Sequence, residues 1–129
     1  MSDLEKCLSE LKEAYPDIEM QPRSCGDDVI GQLPPPLRDY YRLHGAADFP
    51  FGHIYSVEVA LNDPVAKQAF GDEWLEFGCD DYGSFWLCRF APDEDGMWLT
   101  AWDHDLEEDG PQAVCADLSQ FLRDREEEY

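Results

Sequence analysis

From Trp74 to Phe90 the chain reads WLEFGCDDYGSFWLCRF, two runs of large apolar residues on either side of a short stretch rich in Asp, Gly and Ser. Aromatic and aliphatic runs of that length suit strands, and the residues between them suit a tight turn, so the segment predicts an antiparallel hairpin. Pairing residue 79 with residue 84 places Leu75, Phe77, Trp86 and Cys88 on one face. Trp74, Glu76, Phe85, Leu87 and Arg89 then share the other face, with Glu76 within reach of Arg89 for a cross-strand charge pair.

The neighbouring segments extend this sheet. APDEDG reads as a second turn and MWLTAWD as a third strand, with Trp98, Thr100 and Trp102 alternating against Leu99 and Ala101. The three strands predict a meander, and QAVCA is a short fourth candidate. HIYSVEVAL, residues 53–61, alternates in the manner of a further strand. Helices are expected at both ends of the chain. Leu4, Cys7, Leu8, Leu11 and Tyr15 recur at helical spacing behind a Ser2–Glu5 capping box, and Pro16 stops the run. Leu118, Phe121 and Leu122 form the buried side of a last helix capped by Asp117, whose acidic end, Glu126–Glu128, opposes the helix dipole. LPPPLRDYYRLHG predicts a helix with prolines in its first turn and Gly45 as a left-handed cap. DPVAKQAF predicts a short helix, and DIEMQPRSCGDDVIG a loop or a turn of helix.

With 129 residues the chain suits one domain, and 43% apolar and 13% aromatic content provides for a core. Residues 1–129 are therefore expected to form one unit that contains the meander and the helices. Nine basic against thirty acidic residues give a formal charge of −21. That excess argues against phosphate-neutralising contact with nucleic acid or an anionic membrane and favours a neutral or basic partner, although it also serves solubility alone. Cys7, Cys25, Cys79, Cys88 and Cys115 are odd in number and lack a CxxC pair, which fits reduced thiols in the cytosol. The N-terminus lacks the basic start and apolar run of a signal peptide, and no stretch reaches the roughly 20 apolar residues of a membrane span.

AWDHDLEEDG, residues 101–110, gathers five carboxylates and a histidine, and three chemistries compete for it. For a metal site, Asp103, His104 and Asp105 are adjacent, and neighbours in a strand point to opposite faces unless the strand ends there. For acid/base catalysis, Asp80, Asp81, Glu107 and Glu108 fall in expected turns, whereas a catalytic carboxyl needs a perturbing pocket. For covalent catalysis or nucleotide binding, the sequence carries no GxSxG, HExxH, GxxxxGK[ST] or GxGxxG. No metal and no cofactor is expected. The third chemistry is a protein contact, in which acidic turns steer a basic partner and exposed aromatics anchor it.

The succession IGQLPPPLRDYYRLHG, WLEFGCDDYGSFWLCRF, WLTAWDHDLEEDG and LSQFLRD resembles the SUKH superfamily, which includes fungal cell-wall assembly regulators and bacterial immunity proteins. The resemblance spans about residues 30–123. Leu33 and Pro34, Gly45, Gly78, Asp80, Gly83, Asp103, His104, Phe121 and Leu122 occupy the motif places, with His44 where the family's helix usually ends in Asn. The resemblance implies an α+β fold, a single domain over residues 1–129 with a central, mostly antiparallel sheet and helices packed against it, without enzymatic activity of its own and with a binding function. Bacterial members of this kind neutralise a cognate toxin, frequently a nuclease or deaminase domain.

Together these readings give the expectation of a cytoplasmic immunity-type protein whose acidic surface covers a basic toxin domain. The expected contact residues are Asp80, Asp81, Tyr82, Trp102, Asp103, Asp105, Glu107, Glu108 and Asp109. The motif residues Leu33, Pro34, Gly45, Gly78, Gly83, His104, Phe121 and Leu122 are expected in structural roles. The alternative is a regulatory or scaffold module that binds a host protein, and a third reading is a small hydrolase using Asp103, His104 and a metal.

Overall fold

The computed structural model describes residues 2–62, 73–102 and 111–129. Helix α1 (Asp3–Ala14) opens on the expected cap, with Ser2 Oγ accepting from the Glu5 N–H at 3.2 Å. Strand β1 (Glu19–Pro22) and a single helical turn, α2 (Asp27–Ile30), follow, then α3 (Pro35–Leu43), β2 (His44–Phe49), β3 (Gly52–Ile54) and α4 (Val57–Asn62). The hairpin β4 (Trp74–Cys79) and β5 (Phe85–Arg89) leads to β6 (Leu99–Trp102) and to α5 (Leu118–Glu128), which Asp117 caps by accepting from the Gln120 N–H at 2.8 Å. The described strands form one six-stranded sheet in sequence order, β1-β2-β3-β4-β5-β6, every neighbour antiparallel. The α+β, largely antiparallel architecture that the resemblance implies is thus the one found.

One continuous core joins the helices to one face of the sheet. Leu4, Cys7, Leu8 and Leu11 of α1, Leu37, Tyr40 and Tyr41 of α3, and Leu118, Phe121 and Leu122 of α5 pack with Phe77, Trp86, Cys88 and Leu99. Each such side chain withdrawn from water contributes roughly 1.5–3 kcal/mol, which favours this packing over the repulsion of so many carboxylates. The two buried tyrosines keep their hydroxyls satisfied: Tyr40 donates to the Gly45 carbonyl at 2.8 Å and Tyr41 to the Tyr55 carbonyl at 2.7 Å. The opposite face is also covered at its centre, where Trp74, Glu76, Leu87 and Thr100 are all buried. Desolvation, then hydrogen bonding to Cys79 and the charge of Glu76, push the phenol of Tyr55 well above its usual range.

Several local expectations are overturned. Residues 57–62 are the helix α4 instead of the second half of a strand. Val57 and Ala60, three residues apart, are buried there, and Ser56 Oγ accepts from the Val59 N–H at 3.3 Å. Residues 19–22 form an edge strand where a loop or a short turn of helix was expected, and the helical turn is α2, farther along the same segment. Gly45 is not a left-handed cap: its φ is not positive, and it belongs to β2, where a Cβ would meet the carbonyl oxygen of Pro22 at 2.9 Å. QAVCA contributes a single bridge, Leu99 to Cys115, in place of a strand. The register of the hairpin holds as expected from Trp74↔Arg89 to Glu76↔Leu87, but a bulge then shifts it, so that Gly78 faces Trp86 and Cys79 faces Phe85. Arg89 pairs with Glu73 at 3.6 Å and lies over the Trp74 ring at 5.2 Å, in place of the expected pairing with Glu76. The DPVAKQAF helix, residues 63–70, lies outside the described residues.

Candidate functional site

The strand pairings bring several distant segments to one end of the sheet. Phe49 pairs with Gly52, His53 with Cys79, Cys79 with Phe85, and Phe85 with Trp102. The β2–β3 turn, the β4–β5 turn and the end of β6 therefore lie side by side. The APDEDG turn joins the other ends of β5 and β6, so it stands at the far end of the sheet from Asp80–Ser84.

Asp80 builds the β4–β5 turn. Its Oδ1 accepts from the backbone N–H of Tyr82 at 2.9 Å and of Ser84 at 3.0 Å, while its own N–H donates to the Ser84 carbonyl at 3.1 Å. Gly83 takes φ +91, which its missing Cβ permits at little cost. The turn is thus fixed from within, and it holds Asp81 and Tyr82 outward, Tyr82 at 76% exposure. Asp93 makes the same pair of contacts, to the N–H groups of Asp95 and Met97, in the turn at the far end.

A second link was not foreseen from the sequence. His53 on β3 sits between two aspartates, with Nδ1 2.7 Å from Asp48 Oδ1 and Nε2 3.2 Å from Asp81 Oδ1. A neutral imidazole carries one N–H, so only the imidazolium can donate to both carboxylates. The hydrogen bond to Asp48 is the main cause that raises the His53 pKa above its ordinary value, against a smaller opposing effect of desolvation. In that form the charge of His53 ties β2, β3 and the β4–β5 turn together. The signal that could have found it is weak, because the three residues are separated by 5 and 28 positions.

Of the expected contact residues, the structure brings Asp80, Asp81, Tyr82 and Trp102 to the same sheet end. Trp102 is half-buried and stacks on Phe85 with ring centroids 6.4 Å apart. Asp103, Asp105, Glu107, Glu108 and Asp109, with the motif residue His104, lie outside the described residues. The other motif residues separate by role. Leu33, Phe121 and Leu122 are buried, Pro34 caps α3, and Gly45 and Gly78 allow close backbone approach. At Gly78 a Cβ would fall 2.1 Å from the His53 carbonyl oxygen.

Among the described residues no group of three or more His, Cys, Asp or Glu side chains is placed to hold a metal ion, and no helix is long and apolar enough to cross a membrane. The five thiols are unpaired, and burial raises the pKa of Cys7, Cys88 and Cys115, which keeps these thiols protonated. The arrangement is thus a rigid turn presenting carboxylate and phenol to solvent. Compared with protein-family models, with curated proteins and with solved structures, the chain matches none.

Proposed function

We propose that this chain is a non-enzymatic binding protein that neutralises a basic protein partner by occupying its surface, as an immunity protein does its toxin. The observation that carries the reading is the β4–β5 turn, internally fixed by Asp80, which presents Tyr82 and Asp81 to solvent. A pre-ordered loop loses little conformational freedom on binding, and a tyrosine offers a large amphipathic contact with few rotatable bonds. The formal charge of −21 adds long-range attraction for a basic surface.

The resemblance to the SUKH superfamily supports the same reading and narrows the partner to a toxin domain, a basic nuclease or deaminase whose substrate access the bound chain blocks. The α+β architecture accords with that resemblance. Five unpaired cysteines suit a reducing cytosol as the place of action. Nucleic acid and anionic membrane are not partners in this account, since both would be repelled.

Affinity capture from lysate of the native cell, with mass spectrometry of what remains at moderate salt, tests the proposal. The wild-type chain should retain one basic toxin domain, and a chain carrying Asp81→Lys and Tyr82→Ala should lose it. Recovery of housekeeping proteins by both baits would overturn the immunity reading and assign a regulatory scaffold.

A further inference from the structure

The same sheet end carries two adjoining cavities that share Tyr129. One, of about 460 Å³, lies among Tyr15, Asp17, Asp48, Pro50 and Tyr129. The other, of about 230 Å³, lies among Phe51, Asp80, Tyr82, Glu128 and Tyr129, with Arg125 at its wall. Tyr129 is held between them by edge-to-face contacts with Tyr15, ring centroids 6.2 Å apart, and with Phe51, at 6.5 Å. It is nevertheless 60% exposed, so the ring forms a ridge with a depression on each side.

The charge around this groove is negative on balance. Asp17 and Asp48 line the first cavity, Asp80 and Glu128 the second. Arg125 is the one cation among the described lining residues, and its Nη1 is engaged by Glu128 Oε2 at 3.0 Å. Asp48 is shared with His53 and Glu128 with Arg125, but Asp17 and Asp80 meet no cationic partner among the described residues. Aromatic faces beside such carboxylates attract a cation twice, through the ring quadrupole and through charge. A guanidinium meets both demands better than an ammonium, because it is flat, weakly hydrated and able to stack while it pairs with a carboxylate. The chain itself provides two such contacts, Arg89 over Trp74 and Arg125 over Phe121.

We propose that the groove divided by Tyr129 receives arginine side chains from an extended segment of the protein partner. The inference rests on the protein-binding reading above and names the chemistry that the surface recognises. Two arginines, one on each side of the Tyr129 ridge, would lie against tyrosine and carboxylate alike. A second copy of this chain is a poor occupant, because two surfaces of the same sign repel.

Fluorescence anisotropy with a fluorescein-labelled hexa-arginine peptide tests this, with hexalysine and hexacitrulline peptides beside it. Hexa-arginine should bind most tightly. Tyr129→Ala should weaken it about tenfold, as loss of an aromatic anchor does, and the pair Asp17→Asn with Glu128→Gln should weaken it comparably. The pair Glu94→Gln with Asp95→Asn removes two charges at the far end of the sheet and should leave affinity within about twofold, since screening limits the reach of exposed charges. Equal weakening by the two charge pairs, or equal binding of hexalysine or hexacitrulline, would overturn the groove. Circular dichroism and thermal melts of each variant exclude unfolding as the cause of lost binding. A captured partner indifferent to Tyr129→Ala would overturn the groove and leave the protein-binding reading. Specific hexa-arginine binding by a chain that captures no basic protein would overturn that reading and leave the groove.

Discussion

Gly78 lies opposite Trp86 across the β4–β5 ladder, and a methyl group on it would stand 2.9 Å from the indole Cε3 and 2.1 Å from the carbonyl oxygen of His53 on β3. The other side of the same indole rests against Gly52, where a Cβ would meet Cζ2 at 2.2 Å. Trp86 is completely buried against these two glycines, so the bulge at Gly78 and the seat of the largest core side chain are one feature.

A contrast between two glycines follows. Gly78→Ala forces backbone apart and should cost roughly 3 kcal/mol, as overpacking against rigid neighbours does. Gly83→Ala meets no atom within 4 Å and pays only for its positive φ, about 1 kcal/mol. Urea denaturation of the two variants checks the order.

The fixed turn predicts a graded effect at Asp80. Asp80→Ala removes the acceptor of two backbone N–H groups and should destabilise the protein by about 1 kcal/mol, with loss of order confined to residues 80–84. Asp80→Asn keeps an oxygen in place and should recover most of that loss. Thermal melts and amide exchange at Tyr82 and Ser84 measure both.

The elements legible in the sequence are those whose signal is local and strong. α1 and α5 carry apolar residues at helical spacing behind a capping side chain, and the hairpin Trp74–Arg89 carries bulky residues on both sides of an Asp/Gly turn. The strands at the other edge offered no such pattern. β1 has no buried residue, and β2 begins His-Gly-Ala-Ala-Asp, residues that favour strands poorly. Their pairing, Glu19 with Asp48, is set by chain segments almost thirty positions apart. The six residues of α4 read as a strand because Val57 and Val59 alternate, and a run this short does not distinguish the two periods. At the candidate site, Asp80, Asp81 and Tyr82 were legible as a turn. Asp48, His53 and Tyr129 were not, because only the folded sheet brings them together.

The histidine between two aspartates predicts a pH dependence with a definite sign. The folded-state pKa of His53 is raised, so between the ordinary value near 6.5 and the higher folded value the native state holds more protons than the unfolded chain. The stabilisation is complete at pH below the unfolded value and disappears as pH rises through the folded one. His53→Gln should flatten stability across that window. An NMR titration should show the His53 pKa move down in Asp48→Asn and, by a smaller amount, in Asp81→Asn, and an unchanged value in both would refute the link.

Thiol chemistry should divide the five cysteines by depth. Cys25 and Cys79 are half-buried, whereas Cys7, Cys88 and Cys115 are buried, with Cys88 raised furthest by desolvation. Brief iodoacetamide treatment of the native protein, read by peptide mass spectrometry, should label the first two and spare the other three until denaturant is added.

The electrostatic and aromatic surface at the Tyr82 end of the sheet is the centre of this account, and stopped-flow association with the captured partner tests it most directly. The rate should fall steeply as ionic strength rises, and Asp81→Lys with Tyr82→Ala should slow association and hasten dissociation. A rate indifferent to salt and unchanged in that variant would place the contact elsewhere on the chain.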